Sequence, residues 1–169
     1  MRTLLLSTLL LSGCSTWEGS WLLEVLLAED SGNPDPQITY SPSQSYAVFY
    51  KMADGTAAAQ VAGMDGLMTG AVDGKSFSFE QELSASYSSE DCKAYVATES
   101  GTFEGELTAD GGLDGTLRAL SKVDVVDCPA FGGDSSEREW RYEVTGVHVS
   151  ANDGEHVGST VSWGYAGTL

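Results

Sequence analysis

Apolar and polar residues alternate along most of this chain, and the period is two. From Ser45 onward Tyr46, Val48, Tyr50 and Met52 share one face, against Ala47, Phe49 and Lys51 on the other. A period of two is the mark of a strand, because successive side chains point to opposite faces. Asp54-Gly55 reads as a turn, 57–63 as the next strand, and Asp65-Gly66 as a turn into 67–72. Asp73-Gly74 is the dipeptide that type I′ hairpins favour. Behind it Phe77, Phe79 and Leu83 oppose Ser76, Ser78, Glu80 and Glu82, a half-buried strand beside its hairpin partner.

The polar stretch 84–91 reads as a longer loop. Strands are expected at 92–98 and 102–108 around Gly101, then a turn at Asp110-Gly111-Gly112 and a strand over 113–120. Val123-Asp124-Val125-Val126 leads to Cys128-Pro129, where pairing must stop, and 132–137 reads as a flexible acidic loop. The alternation is clearest over 138–149, where Trp140, Tyr142 and Val144 oppose Arg141, Glu143 and Thr145. After Gly146 the apolar positions change parity to Val147 and Val149, which predicts a β-bulge near that glycine. Asn152-Asp153-Gly154 turns into a last strand carrying Val157, Val161, Trp163 and Tyr165.

Near the start, Leu22 to Leu27 is apolar on nearly both faces. That suits a buried first strand, with a short helix as the alternative. A loop follows over 30–36, punctuated by Gly32, Asn33, Pro34 and Pro36. Gly66-Leu67-Met68-Thr69-Gly70-Ala71-Val72 is echoed by Gly101-Thr102-Phe103-Glu104-Gly105-Glu106-Leu107, which implies similar demands for glycine in two strands rather than a repeat array. Eight to ten short strands with Gly/Asp turns predict an all-β domain, an antiparallel meander closing into a small barrel or a sandwich.

The first residues carry a different message. Met1-Arg2 is a short positive end, and Leu4, Leu5, Leu6, Leu9, Leu10 and Leu11 make an apolar run too short to span a bilayer, which takes about 20 residues. A positive end, a short apolar run and small residues describe a secretory signal peptide. Leu11-Ser12-Gly13-Cys14 resembles the lipobox of bacterial lipoproteins at all four positions. The resemblance implies cleavage before Cys14, a diacylglycerol thioether on its sulfur and an acyl chain on its new amino group. Several chains are needed because one acyl chain binds membranes only reversibly. Residues 1–13 are then a signal peptide, 14–20 the lipidated cysteine and a tether, and 21–169 a single β domain. Ser15, rather than Asp, after the cysteine implies the outer membrane by analogy with enterobacterial sorting.

Charge narrows the partners. The whole chain has 25 acidic residues against eight basic ones, a formal net charge of −17, and loss of Arg2 makes the balance more acidic still. Such a surface is unsuited to nucleic acid and to anionic headgroups, which need Lys and Arg, and favours cations and basic proteins. With Cys14 lipidated, Cys92 and Cys128 remain as an even pair in an oxidising compartment, for which a disulfide is the default. It closes a loop of 37 residues, for which chain entropy gives about 3–4 kcal/mol.

Candidate chemistry is sparse. Gly70 to Ser76 imitates a phosphate-binding loop but is one residue short between its glycines and runs into a strand, so it reads as a hairpin. No serine-nucleophile elbow occurs. His148 and His156 straddle the Asn152-Asp153-Gly154 turn, and a metal site with Asp153 or Glu155 is conceivable only on weak spacing. No metal or other cofactor is therefore expected beyond the lipid. Gly19-Ser20-Trp21 resembles the Gly-x-Trp of lipocalins. There the tryptophan closes one barrel end beneath an arginine from a late strand, a role for Arg138 or Arg141. Trp21, Trp140, Tyr142, Trp163 and Tyr165 are the candidate ligand-lining residues. The resulting expectation is a non-enzymatic, lipid-anchored envelope protein with a binding or structural role. The alternatives are a lipocalin-like carrier of a small apolar ligand and, third, an enzyme of unknown class.

Overall fold

The computed structural model describes residues 17–32, 41–90, 92–127 and 135–150. These form eight strands: β1 (Gly19–Asp30), β2 (Ser43–Lys51), β3 (Ala57–Val61), β4 (Met68–Asp73), β5 (Ser76–Ser89), β6 (Cys92–Leu107), β7 (Gly112–Val126) and β8 (Ser136–Ser150). Each pairs antiparallel with the next in sequence, and β8 returns to β1, so the meander is a closed barrel. Of the barrel and the sandwich that the sequence left open, the barrel is the fold, with eight strands among the described residues; the strand expected over 157–165 lies outside them.

The strands are unequal. β3 and β4 have five and six residues, whereas β5 to β8 have 14 to 16. The barrel is complete only as high as β2, β3 and β4 reach. Above them β5, β6, β7, β8 and the second half of β1 continue as a wall. We call the end carrying Trp17, the short hairpins and Ser150 the floor, and the opposite end the mouth.

An eight-stranded barrel is just wide enough for side chains to fill. Here Phe49, Phe77, Phe79 and Phe103 meet at its centre, each at most 3% exposed. Their ring centroids lie 5.0 Å apart for Phe77 and Phe103 and 5.3 Å for Phe49 and Phe79. Trp21, Leu23, Met68, Leu113, Leu117 and Val144 pack around them. Each buried ring contributes roughly 1.5–3 kcal/mol by leaving water, and each aromatic pair about 0.5–1.5 kcal/mol more.

At the floor Trp21 is 2% exposed and donates its indole N–H to the Trp17 carbonyl at 3.0 Å. Gly19, at φ 128°, and Ser20 are buried within β1, so this part of the chain belongs to the barrel rather than to a free tether.

Several local expectations need correcting. Residues 84–89 are strand, not loop: β5 runs on to Ser89 in register with β6, Ala85 opposite Ala97 and Tyr87 opposite Tyr95. The period of two was present in Leu83, Ala85 and Tyr87 against Ser84, Ser86 and Ser88, but small and polar residues concealed it. Likewise 92–98 and 102–108 are one strand through Gly101, and 113–126 one strand in β7. The β4–β5 loop is Gly74-Lys75, since Asp73 pairs with Ser76, and only Gly74 has positive φ, at 61°. A glycine first with an ordinary second residue fits type II′ rather than type I′.

No bulge occurs at Gly146, whose register is continuous with both neighbours. The β1–β8 pairing shifts twice instead, at Ser20/Trp21, opposite Val149 and three residues past Gly146, and at Leu27/Glu29. Gly146 is a glycine because a Cβ there would lie 2.7 Å from a Leu23 methyl and 2.9 Å from Leu113 Cγ. Val147 and Val149 break the apparent phase because they point outward, 57% and 59% exposed. The echoed glycines share one constraint: a Cβ on Gly70 would lie 1.9 Å from the Ser78 carbonyl oxygen, and one on Gly105 would lie 2.2 Å from that of Asp114.

Gly105→Ala should therefore destabilise the barrel by about 3 kcal/mol, the upper range for overpacking. Gly111→Ala, at φ 88° with open space around it, should cost only about 1–2 kcal/mol through backbone strain. Urea midpoints of the two variants check the order.

Candidate functional site

The inward positions of the projecting wall follow from the register. Phe103, Leu117, Tyr142 and Leu27 follow one another as cross-strand partners over β6, β7, β8 and β1, and Tyr142 packs against the core. Eight residues toward the mouth, the same face presents Tyr87, Tyr95 and Val125 in one rung. Trp140 stands between, opposite Ala119 on β7 and Asp30 on β1. The lower ring of the barrel is plugged with phenylalanine; the upper wall carries tyrosine and tryptophan, half-buried except Tyr87, which is 51% exposed.

Two ion pairs lock this wall to β1. Arg138 donates from Nε to Asp30 Oδ1 at 2.8 Å and from an Nη to Oδ2 at 2.6 Å, a bidentate pair. Asp30 also accepts the Gly32 N–H at 2.9 Å. The Asp30 side chain is 7% exposed, while the Arg138 side chain is 47% exposed and lies 5.0 Å over the Trp140 ring. The bonds from Arg138 hold Asp30 below the usual carboxylate range, against a smaller opposing effect of burial. Arg141 donates to Glu29 at 2.6 Å on the outer face. That bond and the arginine charge lower the Glu29 pKa and raise that of Arg141.

The tryptophan–arginine arrangement of the lipocalin resemblance is not formed. Arg138 and Arg141 sit at the mouth, opposite Trp140 and Glu29 rather than over Trp21. The ring beside Trp21 is His148, with centroids 4.9 Å apart. Its Nε2 lies 3.1 Å from the Glu18 carbonyl oxygen, which fixes Nε2–H as donor. The contact seals the floor.

The ligand-lining candidates accordingly separate: Trp21 is in the floor, Trp140 and Tyr142 are in the wall, and Trp163 and Tyr165 lie outside the described residues. So do Cys14, Cys128, His156, Asp153 and Glu155. Cys92, at the mouth end of β6, is 1% exposed and disulfide-bonded. Among the described residues no group of three or more His, Cys, Asp or Glu is placed to hold a metal ion, and no helix is long and apolar enough to cross a membrane.

Surface hollows open among the described residues at both heights of the barrel. One, about 530 Å³, lies near the floor between Leu22, Glu24, Asp114, Thr145, Val147 and the β6–β7 hairpin. The other, about 480 Å³, lies where β4 stops alongside β5, between Leu67, Thr69, Gln81, Leu83 and Gly101. Neither enters the phenylalanine cluster. No protein-family model, curated protein or solved structure matches this chain.

Sequence reasoning missed the Asp30–Arg138 and Glu29–Arg141 pairs. Their partners are 108 and 112 residues apart, and only barrel closure brings them together. It also missed Tyr87 and Tyr95, by assigning half of their hairpin to a loop.

Asp30→Asn should cost about 1.5–3 kcal/mol of stability at neutral pH, the range for hydrogen bonds to a charged group. The folded pKa of Asp30 is depressed, so its contribution is complete above the unfolded value near 3.8 and is lost as pH falls through the lower folded value. The stability gap between wild type and Asp30→Asn should therefore narrow below about pH 4, and chemical denaturation at pH 7 and pH 3 measures it.

Proposed function

We propose that this protein is a lipid-anchored component of a bacterial envelope, at the outer membrane, that acts by binding rather than by catalysis. The observation that carries this reading is the polarity of the barrel: it is solid at the end where the chain enters and extends as an aromatic-lined wall at the other. Cys14 precedes Trp17 by three residues, a reach of about 10 Å. A lipid on Cys14 would therefore hold the floor against the bilayer and point the mouth away from it. Anchoring also raises local concentration, so a modest affinity suffices for a partner at the same membrane.

Cysteine chemistry supports the oxidising compartment that this address requires. The partner of Cys92 is best read as Cys128. Every β6–β7 pair from Leu107↔Leu113 to Ala94↔Val126 keeps one register, and the Lys93 N–H bonds the Asp127 carbonyl at 3.3 Å. Asp127, the residue before Cys128, is thus held beside Lys93, the residue after Cys92. Cys14 would approach the opposite end of a 16-residue strand, roughly 50 Å away at 3.3 Å per residue.

A second reading keeps the lipocalin-like carrier. Eight strands in meander order and a buried Trp21 in the first strand favour it. The filled phenylalanine ring would confine its ligand to the mouth, beside Trp140 and Tyr142.

Replacing Cys14 with Ala should move the protein from the membrane fraction to the soluble one. Retention at the membrane would overturn the anchor. Peptide mapping without reductant should recover Cys92 and Cys128 in one linked species. Native mass spectrometry of protein extracted from its own membrane separates the two readings: a co-purifying small apolar molecule favours the carrier, and a mass of the lipidated chain alone favours the interaction protein.

A further inference from the structure

The wall has an open edge. β4 pairs with β5 only from Asp73↔Ser76 to Thr69↔Glu80, while β5 continues to Ser89. Among the described residues, no strand lies on that side of β5 beyond Glu80. The orientation of its backbone follows from one bond. The Leu107 N–H is donated to the Lys75 carbonyl, so odd residues of β5 and β6 bond each other. Groups alternate sides along a strand. The N–H and C=O of Ser84 and Ser86 therefore point to the open side.

This edge lacks the usual protection. Natural sheets blunt free edges with lysine, proline, an inward charge or a bulge; residues 83–87, Leu-Ser-Ala-Ser-Tyr, contain none of these, and the shift in the β5–β6 register falls beyond them, at Tyr87/Ser89. Acids bracket the segment instead. Glu80 and Glu82 lie at one end, Glu90 at the other, all exposed, and no Lys or Arg occurs between Lys75 and Lys93. Beside its lower end is the 480 Å³ hollow with Leu67 and Leu83 at its rim, 37% and 38% exposed. Within that hollow Gln81 Oε1 is buried and accepts no hydrogen bond.

We propose that the β5 edge at Ser84–Ser88 is a docking site for an extended polypeptide segment that adds a strand to the wall, with a neutral centre of about five residues and cationic residues at both ends. Backbone bonds to Ser84 and Ser86 give affinity, and the alternating side chains give selectivity, the general mode of strand addition. The flanking Lys or Arg meets Glu82 and Glu90. A second copy of this chain fits less well. The antiparallel register that pairs the uncharged segment with itself, centred on Ser86, sets Glu82 of one copy against Glu90 of the other, between two strongly acidic chains. Like charges directly opposite destabilise a sheet. The proposal deepens the interaction reading and is independent of the lipid anchor.

The test uses the purified protein and an eight-residue synthetic peptide of alternating threonine and valine with lysine at each end. Titration calorimetry should show binding that weakens at least tenfold when the end lysines become glutamates, and that falls on raising salt from 0.05 to 0.5 M, values of order set by screening at about 10 Å in 0.1 M salt. Ser86→Pro removes one edge N–H without touching the β5–β6 ladder and should also weaken binding at least tenfold, whereas Ser86→Thr should retain it. Should the proline variant fold poorly, amide hydrogen exchange on the wild type gives the same answer: Ser84 and Ser86 exchange fast in the free protein and slow when peptide is added. Absence of binding, or binding indifferent to Ser86→Pro and to the peptide's end charges, overturns the proposal. So does slow exchange at these amides without peptide, which would mean the chain covers its own edge. A dimer in sedimentation that Ser86→Pro dissolves would overturn it in favour of self-association.

Discussion

Barrel closure is limited by the shortest strands, and the rest of this molecule depends on that limit. A ring of strands satisfies its backbone groups only where every member has a neighbour on both sides. β3, with five residues, and β4, with six, set the height of the complete ring. The longer strands β5 to β8 continue beyond it, so the same sheet serves as a closed barrel below and an open wall above. The stretch of β5 beyond Glu80, unpaired on its β4 side among the described residues, the half-buried aromatics of the mouth and the hollow at the end of β4 all arise from this mismatch in length.

Within the closed ring, space is allocated by pairing large rings with missing side chains. Four phenylalanines fill the centre, and Gly105, Gly115 and Gly146 provide the close approaches around them. A Cβ on Gly115 would meet the Glu104 carbonyl oxygen at 2.6 Å and Phe103 at 3.2 Å. Leu23 and Leu113 occupy the room left at Gly146. Above this ring, tyrosine and tryptophan replace phenylalanine, as suits side chains with one apolar and one wet end. The Asp30–Arg138 pair holds β1 to the wall at that height. Its acid is sheltered and its guanidinium remains in water, so the desolvation cost falls on one partner only.

Most of the strands and turns were legible in the sequence because their side chains alternate strongly between core and water. Phe77 and Phe79 against Ser78 and Glu80, or Trp140 and Val144 against Arg141 and Glu143, allow only one face to be buried. Legibility failed where burial was partial. Residues 84–89 alternate serine with leucine, alanine and tyrosine across a wall wet on both sides, and read as a loop. Val147 and Val149 face outward and imitated a change of phase at Gly146. The Trp21 closure was anticipated as a tryptophan capped by arginine. The capping ring is His148, and both arginines are at the mouth, because the β1–β8 register places them beside Glu29 and Asp30.

The amino-acid sequence by itself determined the all-β class, the meander of hairpins, the excess of acid and the motif at Cys14, since each depends on residues near one another in the chain. Only the tertiary structure decided that the sheet closes, where it stops closing, and which residues share the mouth. Those outcomes depend on the register between β1 and β8, strands more than a hundred residues apart. No local pattern encodes that register; it is set when the core-facing residues of the first and last strands are buried against the same phenylalanines.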